Sequence, residues 1–267
     1  MKNVLLLVHD DEGQEARLQA ALDLTRALDG HLTCIDVADI PVGLAGDYYS
    51  GAGQAALLVD VSREREAKNK AVLEKRLANE GVPWTWVDTV NDLSSAVLEA
   101  AALADLIVLN RKLESRHQPD MHGITSSVVM QARKPVVAVP ETITRMPLGR
   151  ALIAWDGQSS CAATVRACVP LLALAEEVEI FTIHDGSERT EPTEAAEYLS
   201  RHGIHATVRI IDDGQTAADK LINEECARWS ADYVIMGAYG RGRLMEAFGG
   251  VTKRMLATSE RPVVFGH

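Results

Sequence analysis

Two rhythms alternate along the chain: short apolar runs of strand length, and longer segments whose apolar residues recur at helical spacing. The first run is VLLLV (4–8). Ala16, Leu18, Ala21, Leu22, Leu24, Ala27 and Leu28 then make one helical face, with Gly30 placed to stop it. HLTCIDV (31–37) reads as a second strand, and the ADIPVGLAGDYYSGAG that follows (38–53) is too rich in Gly and Pro for regular structure. An amphipathic helix over 55–80 ends at Gly81, VPWTWVDT (82–89) alternates as a strand does, and Asp92 is placed to cap a helix over 93–103. DLIVLN (105–110), a helix over 123–133 and PVVAVP (135–140) complete the series.

The same order then repeats. ALIAW (151–155) is a strand, Cys161 to Ala175 a helix, VEIFTI (178–183) a strand and Thr193 to His202 a shorter helix. ATVRII (206–211), a helix from Thr216 to Trp229, DYVIMG (232–237), a helix over 250–259 and PVVFGH (262–267) follow. ETITRMPLG (141–149), with Pro147 inside it, reads as a linker, so the expected domains are 1–142 and 148–267. Nearly continuous apolar strands alternating with helices predict a parallel sheet covered on both faces. The fold class is therefore α/β, with two tandem five-stranded parallel-sheet domains. In open sheets of this kind ligands bind beyond the carboxyl ends of the strands, where strand order reverses. The informative residues are those just after strands 1 and 4 of each half.

One stretch is a direct repeat. Residues 104–140 and 231–267 align without a gap: ADLIVLN lies over ADYVIMG, Gly123-Ile124-Thr125 over Gly250-Val251-Thr252, and KPVVAVP over RPVVFGH. In the second copy the loop after the strand carries Gly237, Gly240, Gly242, Gly249 and Gly250; in the first, NRKLESRHQPDMHG (110–123) keeps one glycine. Duplication has left two unequal halves.

Bulk properties narrow the function classes. A net charge of −11 argues against nucleic acid as a partner, since backbone binding needs clustered Lys and Arg. No apolar run approaches the roughly 18 residues that suggest a membrane span. MKNVLLLVHDDE at the N-terminus has neither the apolar length nor the cleavage site of a signal peptide, so a cytoplasmic protein is expected. Cys34, Cys161, Cys168 and Cys226 show no CxxC spacing and are expected as small buried apolar residues.

After strand 1 of the second half stands Asp156-Gly157. A carboxylate here can accept hydrogen bonds from a ribose hydroxyl or a base, though the same residue type serves as a turn or helix N-cap. After strand 4 come Met236, Gly237 and Gly240, then Arg241 and Arg243, then Gly249-Gly250-Val251-Thr252. Glycines let backbone amides approach a ligand, and the helix starting near Gly250 adds its positive end; Thr252 offers a hydroxyl, and Arg241 or Arg243 a charge. This combination predicts an anion site. Neither GxxxxGK[ST] after these glycines nor GxGxxG after a first strand is present.

On these residues the chain resembles the universal stress protein family in its tandem form, over nearly its whole length. The family signature is G-x2-G-x9-G-[ST] after strand 4, with an aspartate closing strand 1. Gly237-x2-Gly240 matches, and Gly250 lies nine residues on but is followed by Val251. Aligned instead from Pro262, Gly249 takes the last glycine and Gly250 replaces the hydroxyl residue, in a loop one residue short. In both frames a phosphate-binding hydroxyl is missing or displaced. The resemblance implies a Rossmann-like, adenine nucleotide alpha hydrolase-like fold with pseudo-twofold halves, their last strands paired so that one chain imitates a homodimer. It also implies a non-catalytic stress-response role with an adenine-nucleotide site at Asp156, Ile183, Met236, Gly237, Gly240, Gly249, Gly250, Val251 and Thr252. The ligand would be ATP or AMP, with no metal beyond accompanying Mg.

In the first half Asn110 and Leu113 replace the first two glycines, His122-Gly123 the last pair, and His9 stands opposite Asp156 with Asp10 one residue late. No nucleotide site is expected there. His117, Asp120 and His122 suit zinc or nickel by type, but HxxDxH fits no standard structural zinc spacing and a solvated loop is expected. The charged stretch 62–76 reads as a solvated helix face, and Tyr48-Tyr49 as a lid, a partner contact or ordinary packing. Two other functions stay open: a nucleotide-free scaffold acting through a protein partner, and a slow ATP hydrolase, for which Glu246 is the loop's one carboxylate. Association of the pseudo-dimer into a true homodimer also stays open.

Overall fold

A computed structural model describes residues 1–39, 52–113, 119–184, 186, 189–213, 215–238 and 250–267, apart from the side chains of Asp39 and of residues 52–60. The first half runs β1 (Asn3–Val8), α1 (Gln14–Ala27), β2 (His31–Asp39), α2 (Ala52–Leu77), β3 (Trp84–Asn91), α3 (Leu93–Ala100), β4 (Leu106–Asn110), α4 (Met121–Gln131) and β5 (Val136–Val139). The second runs β6 (Arg150–Ala154), α5 (Ser159–Ala167), α6 (Val169–Leu172), β7 (Glu177–Ile183), α7 (Pro192–Ser200), β8 (Ala206–Ile211), α8 (Ala218–Trp229), β9 (Tyr233–Gly237), α9 (Val251–Thr258) and β10 (Val263–Gly266).

All ten strands form one sheet in the order β3-β2-β1-β4-β5-β10-β9-β6-β7-β8. Pairing within each half is parallel, while β5 and β10 meet antiparallel, with Val263 opposite Ala138 and Phe265 opposite Val136. The fold is thus α/β, two five-stranded parallel sets back to back. Strand side chains alternate between two apolar layers. Val4, Leu6 and Val8 face α1 and α2, and Ala151 and Ile153 face α5 and α7. Leu5 and Leu7 face α3 and α4, while Leu152 and Ala154 face α8 and α9. Each half reverses strand order beside its first strand: β1 lies between β2 and β4, and β6 between β7 and β9.

The halves are also tied by polar contacts. Arg111 Nη1 donates to Leu256 O (3.3 Å) and Ala257 O (2.8 Å) in the last turn of α9, where a cation meets the helix's negative end. In the segment between the halves Met146 is buried, and its N–H donates to Asp23 Oδ2 of α1 (2.8 Å). Among the described residues no helix is long and apolar enough to cross a membrane.

Local differences from the sequence reading have identifiable causes. Gly30 does not take the left-handed position after α1; Asp29 does, at φ 47°, and Gly30 is needed because a Cβ there would lie 2.5 Å from Lys2 O. The expected helix from Cys161 to Ala175 is two helices that meet at Cys168, since Pro170 cannot donate to the ladder and its ring crowds the preceding turn. The helix expected over 93–103 tightens to a 3₁₀ turn at Ala101–Leu103. α4 starts at Met121, earlier than expected, because Asp120 caps it by accepting from Gly123 N (3.0 Å).

Phe265 is fully buried on β10, directly at the antiparallel seam. Phe265→Ala is expected to lower unfolding free energy by about 3–5 kcal/mol in urea titrations. A loss below about 1 kcal/mol would contradict a close-packed seam.

Candidate functional site

Register places the ends of three second-half strands side by side: Ala154 of β6 lies beside Phe181 of β7 and beside Met236 of β9. Asp156, Ile183 and Gly237 therefore share the carboxyl edge of the sheet at the point where strand order reverses. Gly157 (φ 68°) turns the chain into α5, a conformation that favours glycine. Asp156 is half-buried, and its Oδ1 accepts from Gln158 N (3.0 Å) in a local Asx turn. Ile183 packs half-buried on the α8 side and Met236 is buried. Gly250 is the N-cap of α9 and has no side chain with which to cap it; Val251 begins the helix half-buried. Thr252 is buried, with 3% exposure. Gly240 and Gly249, with Arg241, Arg243 and Glu246, lie outside the described residues, as do Tyr48, Tyr49 and His117.

Gly237 has a packing reason of its own. A Cβ at this position would lie 2.6 Å from Cys161 N and 2.9 Å from Ser160 Oγ, because the first turn of α5 passes directly over the end of β9. Ser160 Oγ, beside this approach, is buried and has no hydrogen-bond partner among the described residues. Cys161 is buried in the same turn, and burial pushes its thiol up to about 12, which removes it as a nucleophile.

The first half solves the same approach the other way round. Its glycine is on the helix side: a Cβ on Gly13, the N-cap of α1, would lie 2.3 Å from Asn110 Oδ1 and 2.5 Å from Leu113 Cδ2. Asn110, the counterpart of Gly237, thus projects its side chain into the space that Gly13 leaves. Arg17 completes the filling. It is fully buried, donates through Nε to Leu7 O (3.1 Å) and through Nη2 to His9 O (3.1 Å), and grips both oxygens of Asp11 at 2.9 Å. Its Nη1 also donates to Asn110 Oδ1.

Two further first-half side chains close the region. Asp120 sets its carboxylate on the first turn of α4, where an anion would otherwise meet the amides. His9, the counterpart of Asp156, is buried with Nδ1 3.3 Å from Glu66 Oε1; burial pulls its pKa below the usual imidazole value, against the opposing pull of Glu66. Thr125 Oγ1 donates inward to Asn110 O (2.7 Å), so the counterpart of Thr252 serves the core.

Sequence reasoning passed over Arg17. The signal was present: Arg17 falls on the same helical stripe as Ala21, Leu24 and Leu28, an apolar arc where an arginine must find buried partners. All four cysteines are free and buried. Among the described residues no group of three or more His, Cys, Asp or Glu side chains is arranged to hold a metal.

Residues 1–140 match the Universal stress protein family. Among solved structures, the fold is similar to that of a universal stress protein from Archaeoglobus fulgidus DSM 4304, at 16% identity and a TM-score of 0.77, covering 99% of this chain and 95% of that one. A functionally unknown protein from Pseudomonas aeruginosa PAO1 is also similar, at 18% identity and a TM-score of 0.60, covering 99% of this chain and 92% of that one. At these identities the likeness is one of fold. No curated protein matches the chain.

Removing Arg17 would leave the Asp11 carboxylate, 4% exposed, without its counter-charge. Arg17→Ala is expected to cost about 3–5 kcal/mol of stability by chemical denaturation. A variant as stable as the parent would show that the network does not hold the first half together.

Proposed function

Because the chain belongs to the universal stress protein family, we propose that it is a stress-response module that binds an adenine nucleotide in its second half and does not turn it over. One observation carries the reading: the two halves treat the same strand-end region oppositely. In the first half Arg17, Asn110 and Asp120 fill it with the chain's own polar side chains. In the second the corresponding strand end is Gly237, and the helix behind it begins at Gly250, a residue with no side chain to set on its first amides.

The residues present suit the ligand. Asp156 would accept from a base or ribose donor, and Ile183 and Met236 would offer apolar contact to the base. The amides from Gly250 through Val251 and Thr252, with Gly237, Gly240 and Gly249 leaving room for backbone approach, would receive phosphate oxygens. ATP and AMP both fit this chemistry, with Mg accompanying the phosphates of ATP. Hydrolysis would also need a base positioned for water, and Glu246 is the one carboxylate of the loop.

A second reading, a nucleotide-free scaffold acting through a protein partner, draws support from Gly237. The approach of α5 requires glycine there whether or not a ligand binds.

Calorimetric titration with ATP and with AMP separates the two. Binding is expected, with Asp156→Ala weakening it by about tenfold or more, the loss of a hydrogen bond to a charged group. No heat from either nucleotide at millimolar concentration would overturn the first reading and leave the scaffold. Any phosphate release by the pure protein is expected to be unchanged in Glu246→Gln; a drop would revive the hydrolase.

A further inference from the structure

A second recess lies on the α2 side of the sheet beside the end of β1, where Asp36 stands in register with Val8. Between α2 and the β2–β3 margin of the sheet is a cleft of about 640 Å³, lined by Asp36 of β2, Asp88 of β3, and Arg63, Glu66 and Lys70 of α2, among others. Its charges are mostly spoken for. Lys70 Nζ bonds Asp88 Oδ2 (2.6 Å), and Trp86 Nε1 donates to Asp88 Oδ1 (3.0 Å). Glu66 accepts from Arg65 (3.1 and 3.2 Å) and from Asn69 (3.4 Å). Asp36 is the exception: it is 4% exposed, and its Oδ1 is buried with no hydrogen-bond partner among the described residues. A carboxylate in that condition calls for a cation or a donor.

The form of that cation follows from the lining. No group of His, Cys, Asp or Glu among the described residues is arranged for a metal, which would want several oxygen ligands together. A single buried carboxylate suits an ammonium, a compact cation with three donors. The lining also holds three acids against two bases, which favours a positively charged occupant, and the cleft is large enough for several methylenes. We propose that this cleft is a binding site for a small aliphatic amine or polyamine, whose ammonium pairs with Asp36.

Protonation gives the site a recognisable signature. Burial first, then the charges of Glu66 and Asp88, push the Asp36 carboxyl up to about 7, against the pull of Lys70 and of the nearby Trp86 indole N–H. Cys34, the neighbouring group on β2, is itself held up at about 12 and stays neutral, and the Arg63 side chain also lines the cleft. An ammonium pairs with the ionised carboxylate, so its affinity rises as pH climbs through 7. In the amine-free protein the sign is opposite. Between 3.8 and about 7 the folded chain keeps a proton that the unfolded chain has released, so this group's contribution makes stability fall as pH rises. Asp36→Asn removes that slope and is expected to fold.

The test is calorimetric titration of the full chain with putrescine and with spermidine at pH 8 and pH 6, for the parent and Asp36→Asn. The parent is expected to bind about tenfold more weakly at pH 6, in proportion to the ionised fraction of a group near 7. Asp36→Asn is expected to bind at least about tenfold more weakly than the parent at pH 8. Absence of heat at millimolar amine, equal affinity in the two proteins, or a flat pH response would each overturn the proposal; equal affinity would mark loose attraction to an acidic chain. ATP titrations run alongside are expected to be the same in both proteins, so failure at this cleft is distinguishable from failure at the strand-end site.

Discussion

In each half the helix after the first strand runs so close to the end of the fourth strand that only one of two facing positions can carry a side chain. In the second half the strand yields: Gly237 is bare and Ser160 stands on the helix. In the first half the helix yields: Gly13 is bare and Asn110 stands on the strand. Packing at this point tolerates either arrangement, but the consequences differ. A side chain on the strand end points into the region where a ligand would lie, and in this protein it recruits Arg17 and Asp11 around it. Once a guanidinium is buried there, its counter-charge and carbonyl partners become part of the fold, and the region is closed to an outside anion.

This divergence was affordable structurally because the fold does not rest on the ligand region. The two apolar layers and the ten-stranded sheet are continuous across both halves, and β5 against β10 covers two strand edges that separate halves would expose. Arg111 on the last turn of α9 adds a polar tie across the same boundary, and Asp23 on the Met146 amide ties the connecting segment to the first half. One half can therefore hold an internal ion network at this point while the other keeps a bare glycine. The family match over residues 1–140 falls on the half that lacks the glycine-rich loop.

Much of this was legible in the chain. The order of strands and helices, their doubling, and the unequal glycine content of the two loops can all be read from periodicity and from the direct repeat. The misreadings share one character. Gly30 looks like a helix stop but makes room for Lys2 O, while Asp29 takes the left-handed turn. Arg17 looks like one polar residue on an amphipathic helix and is one of the most deeply buried side chains. In each case the partner that decides the residue's role lies on another element, and no local pattern names it.

The sequence by itself determined the elements, because periodicity and turn chemistry act between neighbours along the chain. It also determined that the halves differ, since a lost glycine is visible without coordinates. Only the tertiary structure decided what the difference means. The meeting of α1 with β4, and of α5 with β9, sets distances of a few ångströms between residues far apart in the chain, and those distances decide which of the two facing positions can carry a side chain. The buried Asp36 belongs to the same class. Its chemistry follows from the burial and charges that α2 and β3 bring to it, which depend on how the elements pack and on nothing in its immediate sequence.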